Sequence, residues 1–299
     1  MKIERLLTKI KGVVLKGEPL SNHTSIGIGG PADYFIIPED VEDVRRVIAF
    51  CKEAGIEVLF LGQGSNVLIS DEGFRGVVLK FVDGRNLQGI CFLDQFRVEV
   101  QAGVPLKRLI NLSQEKGLSG LEFAIGIPGS LGGAIWTNAG ANSHAIGSLV
   151  EQVTVIQEDG EIKRLCNGDM FFSYRYSNFQ EKSWFIWKAV LRLEPSTPAE
   201  IAKRIRVFWE KRKKQPFSCQ SAGCIFKNPP GDYAGRLIEQ AGCKGMVIGG
   251  AKVSESHANF IINIGGAKAR DVLQLMEIIK EKVKEKFGVE LEPEIAIYL

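Results

Sequence analysis

Cys224 stands in the stretch SAGCIFKNPPG (221–231), between a glycine and an apolar pair and just ahead of Lys227 and Asn228. A thiol there can be a small core side chain, half of a disulfide, a metal ligand or a group that moves a proton. Two further stretches combine glycine with small polar residues. In LGQGSNVLIS (61–70) an apolar run ends in Gly62, Gly64, Ser65 and Asn66. Glycines leave consecutive backbone N–H groups uncovered, and the serine and asparagine add side-chain donors, a combination that can cradle a phosphate; it can equally be a tight turn between strands. It is no dinucleotide fingerprint, because the third glycine is missing and no helical pattern follows directly. The stretch GIPGSLGGAIWTNAGA (126–141) is glycine-rich, uncharged and without strand or helix period. Two such loops can approach one large ligand from two sides, and a pyrophosphate joined to a flat ring system fits them better than a lone phosphate. The structural alternative is a buried crossover packed by small residues.

The elements that must position these loops follow from periodicity. DVEDVRRVIAFCKEAG (40–55) predicts a helix with Asp40 as N-cap, an apolar stripe of Val41, Val44, Val47, Ile48 and Cys51, and Gly55 as its stop. Strands are expected at 57–61, 77–81, 96–101 and 184–193, a short helix from Pro105 to Gly117, and a hairpin with an Asp-Gly turn over 150–165. EPSTP (194–198) reads as a hinge. Beyond it come helices at 199–214, 233–241 and 268–287, a strand at 259–264 and a strand at 289–298. The last helix carries a core stripe of Val272, Leu275, Met276, Ile279 and Val283. In the last strand Glu290, Glu292 and Glu294 are expected on one face. Strands and helices alternate without a regular βαβ beat, so the reading is α+β lobes.

Bulk properties exclude several classes. At 299 residues the chain suits two or three lobes. A net charge of +3 gives no global argument for nucleic acid or membrane binding. MKIERLLTKIKG at the start has frequent charges and no long apolar run, so neither a signal peptide nor membrane insertion is expected. The six cysteines contain no CxxC pair and no histidine at zinc spacing, and the three histidines are scattered. Reduced thiols in a cytoplasm, and no metal, are expected.

Six stretches taken together, NHTSIGIGGPADYF (22–35), LGQGSNVL (61–68), GIPGSLGGAIWTNAGA (126–141), FSYRYSNF (172–179), SAGCIFKNP (221–229) and LEPEIAIYL (291–299), resemble the UDP-N-acetylenolpyruvoylglucosamine reductase (UDP-N-acetylmuramate dehydrogenase) family. They occur in order from about residue 20 to the C-terminus. The short span between YRYSNF and WFIWKAVLRL is similar to the type II branch. The resemblance implies an α+β fold: a two-lobed FAD-binding module of the p-cresol methylhydroxylase/vanillyl-alcohol oxidase type over 1–197, with lobes of roughly 1–82 and 83–197, and an α+β substrate-binding domain over 198–299. It implies non-covalent FAD, NADPH as hydride donor, and reduction of the enolpyruvyl ether of a UDP-sugar to UDP-N-acetylmuramate, a peptidoglycan precursor, by a cytoplasmic enzyme that is a monomer. It places Gly62, Gly64, Ser65, Asn66, Pro128, Gly129, Gly132, Gly133, Asn138 and Gly140 along the flavin. Arg175, Cys224 and Glu294 take the family's catalytic positions, and Cys224 stands where the proton donor is usually a serine. Tyr174, Lys214, Lys227 and Asn228 become substrate-binding candidates.

The residue types suit that chemistry. Hydride addition to the methylene carbon of an enol ether leaves electron density beside the substrate carboxylate, and stabilising it is a large part of catalysis. A planar, permanently charged guanidinium such as that of Arg175 can hold two oxygens at once. A thiol with an ordinary pKa of about 8.5 is mostly protonated at neutral pH and can supply the final proton. A glutamate beside such charge acts if protonated or if it orients a neighbour. Two alternatives remain open on sequence alone: another FAD-dependent oxidase or dehydrogenase on the same module, and a non-catalytic nucleotide-binding protein.

Overall fold

The structure is a computed structural model that describes residues 6–84, 86–213, 215–216 and 218–299. The chain forms two compact units, one of residues up to Lys16, Tyr34–Gly62 and Gly76–Arg212, the other of Gly17–Asp33, Gln63–Arg75 and Lys213–Leu299.

In the first unit helix α1 (Val41–Ala54) forms as its sequence predicts. The Asp40 carboxylate accepts the N–H groups of Glu42 and Asp43, and Gly55 ends the helix in the left-handed region at φ 66°. Val44, Val47, Ile48 and Cys51 are buried in the core. A sheet orders the strands Val13–Pro19, Pro31–Ile37, Phe74–Lys80 and Val58–Leu61, the last two paired in parallel. A second, wholly antiparallel sheet orders Ile162–Cys166, Val150–Ile156, Phe185–Arg192, Arg97–Gln101 and Ile90–Phe92. Its alternating apolar residues, Val98 and Val100, Val153 and Val155, Ala189 and Leu191, enter the same core as α1. Helix α2 (Leu106–Glu115) adds Leu106, Leu109 and Ile110. Helix α3 (Leu131–Thr137) lies inside the stretch expected to lack regular structure, so that expectation is corrected. Leu131 and Ile135 are buried, and burial holds a glycine-containing helix that propensity alone would not form. Helix α4 (Pro198–Arg212) also belongs to this unit, because Glu194–Pro195 pairs with Leu118–Ser119 and α4 follows directly.

The second unit has a four-stranded antiparallel sheet ordered Gln220–Cys224, Phe260–Asn263, Ala251–Val253 and Val247–Ile248. Helices α5 (Ala234–Gln240) and α6 (Ala269–Phe287) complete its core, and α6 buries the expected stripe of Val272, Leu275, Met276, Ile279 and Val283. The expected strand over 289–298 is corrected. Only Ala296–Tyr298 is extended in a ladder, parallel to Val67–Ile69. Pro293 has no N–H to give a ladder and makes one isolated bridge to Phe226. That pairing, together with the Asp71 carboxylate accepting the N–H of Ala269 at 2.9 Å, ties residues 63–75 to the C-terminal core. Along the chain the last crossing between the two compact units falls between Arg212 and Lys213. No helix among the described residues is long and apolar enough to cross a membrane.

Candidate active site

In the first unit the glycine stretch 126–141 is sewn to the preceding segment by backbone. Leu106 N–H donates to Gly129 O at 3.0 Å, Leu131 N–H to Val104 O at 2.9 Å and Gly132 N–H to Ala102 O at 2.9 Å. Gly129 has φ 131°, which L side chains rarely adopt. At Gly132 a Cβ would lie 2.8 Å from the Ala102 Cβ, so close packing of the chain on itself accounts for that glycine. Gly140 is similar, with the His144 carbonyl 2.3 Å from where its Cβ would be. Gly133 differs: the nearest atom is the Ser130 Oγ at 3.8 Å, and the fold leaves that space open. Gly62, at the end of the strand Val58–Leu61, would place a Cβ 2.9 Å from the same Ser130 Oγ. Ser130 is 1% exposed, and its hydroxyl has no hydrogen-bond partner. A buried hydroxyl left unmade costs about 1–3 kcal/mol, so an orphan between two glycines indicates a polar group that completes it. The residues therefore fit a ligand carrying a phosphate-like acceptor. The sequence reading missed Ser130 while choosing its neighbours; its position at the N-cap of a helix was hidden with the helix itself.

Asn138 ends α3 in the left-handed region at φ 47° and is 5% exposed. Its amide is engaged at both ends: Nδ2 donates to Ser173 O at 2.6 Å, and Oδ1 accepts Gly147 N–H at 3.0 Å. The first of these bonds holds the hairpin that carries Arg175. Phe172–Ser173 and Tyr176–Ser177 pair antiparallel, leaving Tyr174 and Arg175 as a two-residue turn. Arg175 has φ 55°, a conformation that costs a non-glycine residue about 1–2 kcal/mol. Its guanidinium lies 5.2 Å from the centre of the exposed Tyr174 ring.

In the second unit Gly64, at φ 66°, lies against the backbone of His23, whose carbonyl would be 2.1 Å from a Cβ. Gly64 O accepts the Ser25 N–H at 2.9 Å. Asn66 bridges toward the C-terminus: its Nδ2 donates to Glu294 O at 3.2 Å and its carbonyl accepts Ala296 N–H at 3.0 Å. Glu294 N–H in turn donates to Ile225 O at 2.7 Å, directly after Cys224. Asn66, Cys224 and Glu294, far apart in sequence, are thus brought together. Glu294 is half-buried, whereas Glu290 and Glu292 are exposed and pair with Lys284 and Lys227. Cys224 is half-buried at the end of its strand, in register with Phe260. Cys51 and Cys243 are fully buried, and burial pushes the Cys51 thiol up to about 12 and raises that of Cys243. Among the described residues no disulfide links the six cysteines. The peptide after Cys224 is fixed by Asn259, 3% exposed, whose Oδ1 accepts Phe226 N–H at 3.0 Å and whose Nδ2 donates to Phe226 O at 2.8 Å. At Gly223 a Cβ would meet only the Ser65 carbonyl, at 3.8 Å, so the space over the loop is open there too.

The substrate-binding candidates divide. Lys227 lies 3.4 Å from Glu292, and its N–H donates to Glu292 O. The Asn228 Oδ1 accepts Ala234 N–H at 3.0 Å at the start of α5. Lys214 lies outside the described residues.

Two family models match the chain. A model of the UDP-N-acetylenolpyruvoylglucosamine reductase C-terminal domain matches residues 215–298, and a model of an FAD binding domain matches residues 32–165. The UDP-N-acetylenolpyruvoylglucosamine reductase of Caldanaerobacter subterraneus subsp. tengcongensis is 46% identical over 300 residues, covering 98% of each chain. That of Bacillus subtilis is 43% identical over 297 residues, covering 99% of this chain and 97% of its own. The crystal structure of the reductase from Thermus caldophilus superposes with a TM-score of 0.81 at 34% identity, over 97% of this chain and all 100% of the other. A variant of the Physcomitrella patens BBE-like 1 protein, at 12% identity and TM-score 0.50 over 65% of this chain, shares the fold alone.

Proposed function

The chain belongs to the UDP-N-acetylenolpyruvoylglucosamine reductase family, and on that premise we propose that Arg175, Cys224 and Glu294 carry its reaction. The protein is an FAD-containing oxidoreductase of peptidoglycan precursor synthesis that reduces the enolpyruvyl ether of UDP-N-acetylglucosamine-enolpyruvate with NADPH. FAD, when bound, would supply the redox chemistry, hydride transfer between NADPH and the enolpyruvyl double bond.

The loops 62–66 and 128–140 would hold the cofactor in this reading, through Gly62, Ser65, Asn66, Pro128, Gly129, Gly133 and the hydroxyl of Ser130. The orphaned Ser130 hydroxyl is the observation that carries this part. Gly64, Gly132 and Gly140 serve by letting the backbone pack closely, and Asn138 by bonding its neighbours.

On the substrate side, the guanidinium of Arg175 stabilises charge that develops at the carboxylate end of the enolpyruvyl group. Cys224 donates the proton to the carbon bearing the carboxylate. Glu294 orients the substrate or the donor, and its link to Ile225 keeps its backbone in step with Cys224. Tyr174, Lys214, Lys227 and Asn228 complete the contacts to the UDP-sugar. The proposal extends to a cytoplasmic monomer, which sedimentation of purified protein tests.

The reading is tested by one spectroscopic series. Purified protein shows the two visible bands of oxidised flavin; NADPH bleaches them, and the enolpyruvyl substrate without added oxygen restores them. Restoration by oxygen alone at the same rate would place the chain among oxidases on the same module.

A further inference from the structure

Arg175 occupies a backbone conformation that arginine avoids, and strain of this kind persists only where surrounding groups determine it. The groups that do so are identifiable. Gln180 Nε2 donates to the carbonyl of Arg175 itself at 3.3 Å and to the carbonyl of Trp136 at 2.8 Å. Ser177 Oγ donates to the same Trp136 carbonyl at 2.6 Å, and Asn138 Nδ2 holds the carbonyl of Ser173, two residues before Arg175. Ser173, Arg175 and Ser177 are thereby each tied, directly or through Gln180, to residues 136–138. Those residues are the C-terminal end of α3, whose N-terminal end carries Ser130 and Gly133.

We infer that Gln180 is a positioning residue for Arg175: by fixing the Arg175 peptide in its left-handed conformation against the end of α3, it sets where the guanidinium can reach. Asn138 performs the same service one step further away, from Ser173. Neither side chain touches the reacting atoms. Losing the Gln180 donor lets residue 175 relax toward negative φ, which turns the arginine side chain away while leaving its charge intact. Misplacement of a positioned group by about an ångström can cost on the order of 100-fold in rate.

The inference rests on the reading that Arg175 acts on the substrate, and the test separates the two. Gln180→Met keeps the length of the side chain and removes both donors. Ser177→Ala removes the bond from the Ser177 hydroxyl to the Trp136 carbonyl with little change of shape. Flavin content, NADPH-driven bleaching and substrate-driven reoxidation are measured by stopped flow in each variant, alone and combined with Arg175→Ala. Expected is flavin content and bleaching within about twofold of wild type for Gln180→Met, and reoxidation slower by a factor of about 10 to 100. In the Arg175→Ala background Gln180→Met should add nothing, because the group it positions is gone. Ser177→Ala should behave the same way with a smaller factor, and it carries the test if Gln180→Met fails to fold. If Arg175→Ala slows reoxidation but Gln180→Met and Ser177→Ala do not, the positioning role is wrong and the arginine's role stands. Equal slowing by Gln180→Met in both backgrounds overturns the positioning role as well, in favour of a general structural effect. If Arg175→Ala itself reoxidises at wild-type speed, both readings fall together.

Discussion

In the first unit Arg175 sits on a two-residue turn at φ 55°, and side chains of Asn138, Ser177 and Gln180 hold the turn in place. In the second unit Cys224 and Glu294 lie on segments joined mainly by backbone, through Glu294 N–H to Ile225 O and Ala296 N–H to Asn66 O, and neither residue has a positive φ. The difference has consequences. A backbone-to-backbone bond survives almost any side-chain substitution, so the Cys224–Glu294 arrangement tolerates drift in its neighbours. The arginine's place depends on particular side chains and is open to loss by single changes remote from the substrate.

The largest effect that distinguishes the two regions is on the substrate half-reaction. Arg175→Ala and Glu294→Gln should both bind FAD and accept reducing equivalents from NADPH, yet slow reoxidation by substrate by a factor on the order of 100 to 1,000, the usual worth of a group aimed at developing charge. Stopped-flow absorbance separates the steps, and equal slowing of NADPH-driven bleaching in both variants would remove the assigned roles.

The flavin loops offer a second contrast, between glycines that serve packing and glycines that leave space. Gly133→Val should give colourless protein with a near-normal melting transition, since the fold offers open space there. Gly132→Ala should instead melt early, by about 1–3 kcal/mol of lost stability, because its Cβ meets Ala102. Flavin absorbance and thermal melts of the pair give the answer, and identical behaviour would erase the distinction.

Ser130→Ala sharpens it with opposite signs. Removing an unsatisfied buried hydroxyl should stabilise FAD-free protein by about 1 kcal/mol, while FAD affinity falls by a factor of roughly 10 to 150, the worth of one hydrogen bond to a charged acceptor. A fall in apo stability would mean that the hydroxyl is satisfied within the fold.

The smallest effect expected is on the strain itself. Arg175→Gly removes a conformational cost of about 1–2 kcal/mol but adds chain entropy to the unfolded state, so the net gain in stability should be at most about 1 kcal/mol, with the substrate half-reaction lost. Denaturant melts read it, and a loss of stability would show that the guanidinium's own contacts outweigh the strain.

How far these features could be read from sequence depends on the range of the interactions that cause them. Helix α1 was legible to its caps, because Asp40, the apolar stripe and Gly55 act within a few residues of one another. Cys224, Arg175 and Glu294 were selected by motif rather than by physics, and the half-burial that sets Glu294 apart from Glu290 and Glu292 came only with the fold. The strand expected over 289–298 failed because apolar alternation outweighed Pro293 in the reading, whereas in the molecule the missing N–H decides. Helix α3 went unseen because adjacent glycines suppress helical propensity, and its burial against a distant segment supplies what propensity lacks. Ser130 and Gln180 were invisible for the same reason: an orphaned hydroxyl and a shared donor are defined by partners that sequence order does not bring near.

The central claim is that the proton added to the substrate comes from Cys224. In Cys224→Ala, stopped-flow mixing with NADPH should bleach the flavin at the wild-type rate, and the enolpyruvyl substrate should then reoxidise it more slowly by a factor on the order of 100 to 10,000, the worth of a positioned acid. Cys224→Ser should recover much of that rate. Reoxidation of Cys224→Ala at nearly wild-type speed would contradict the account and leave the thiol as a packing residue.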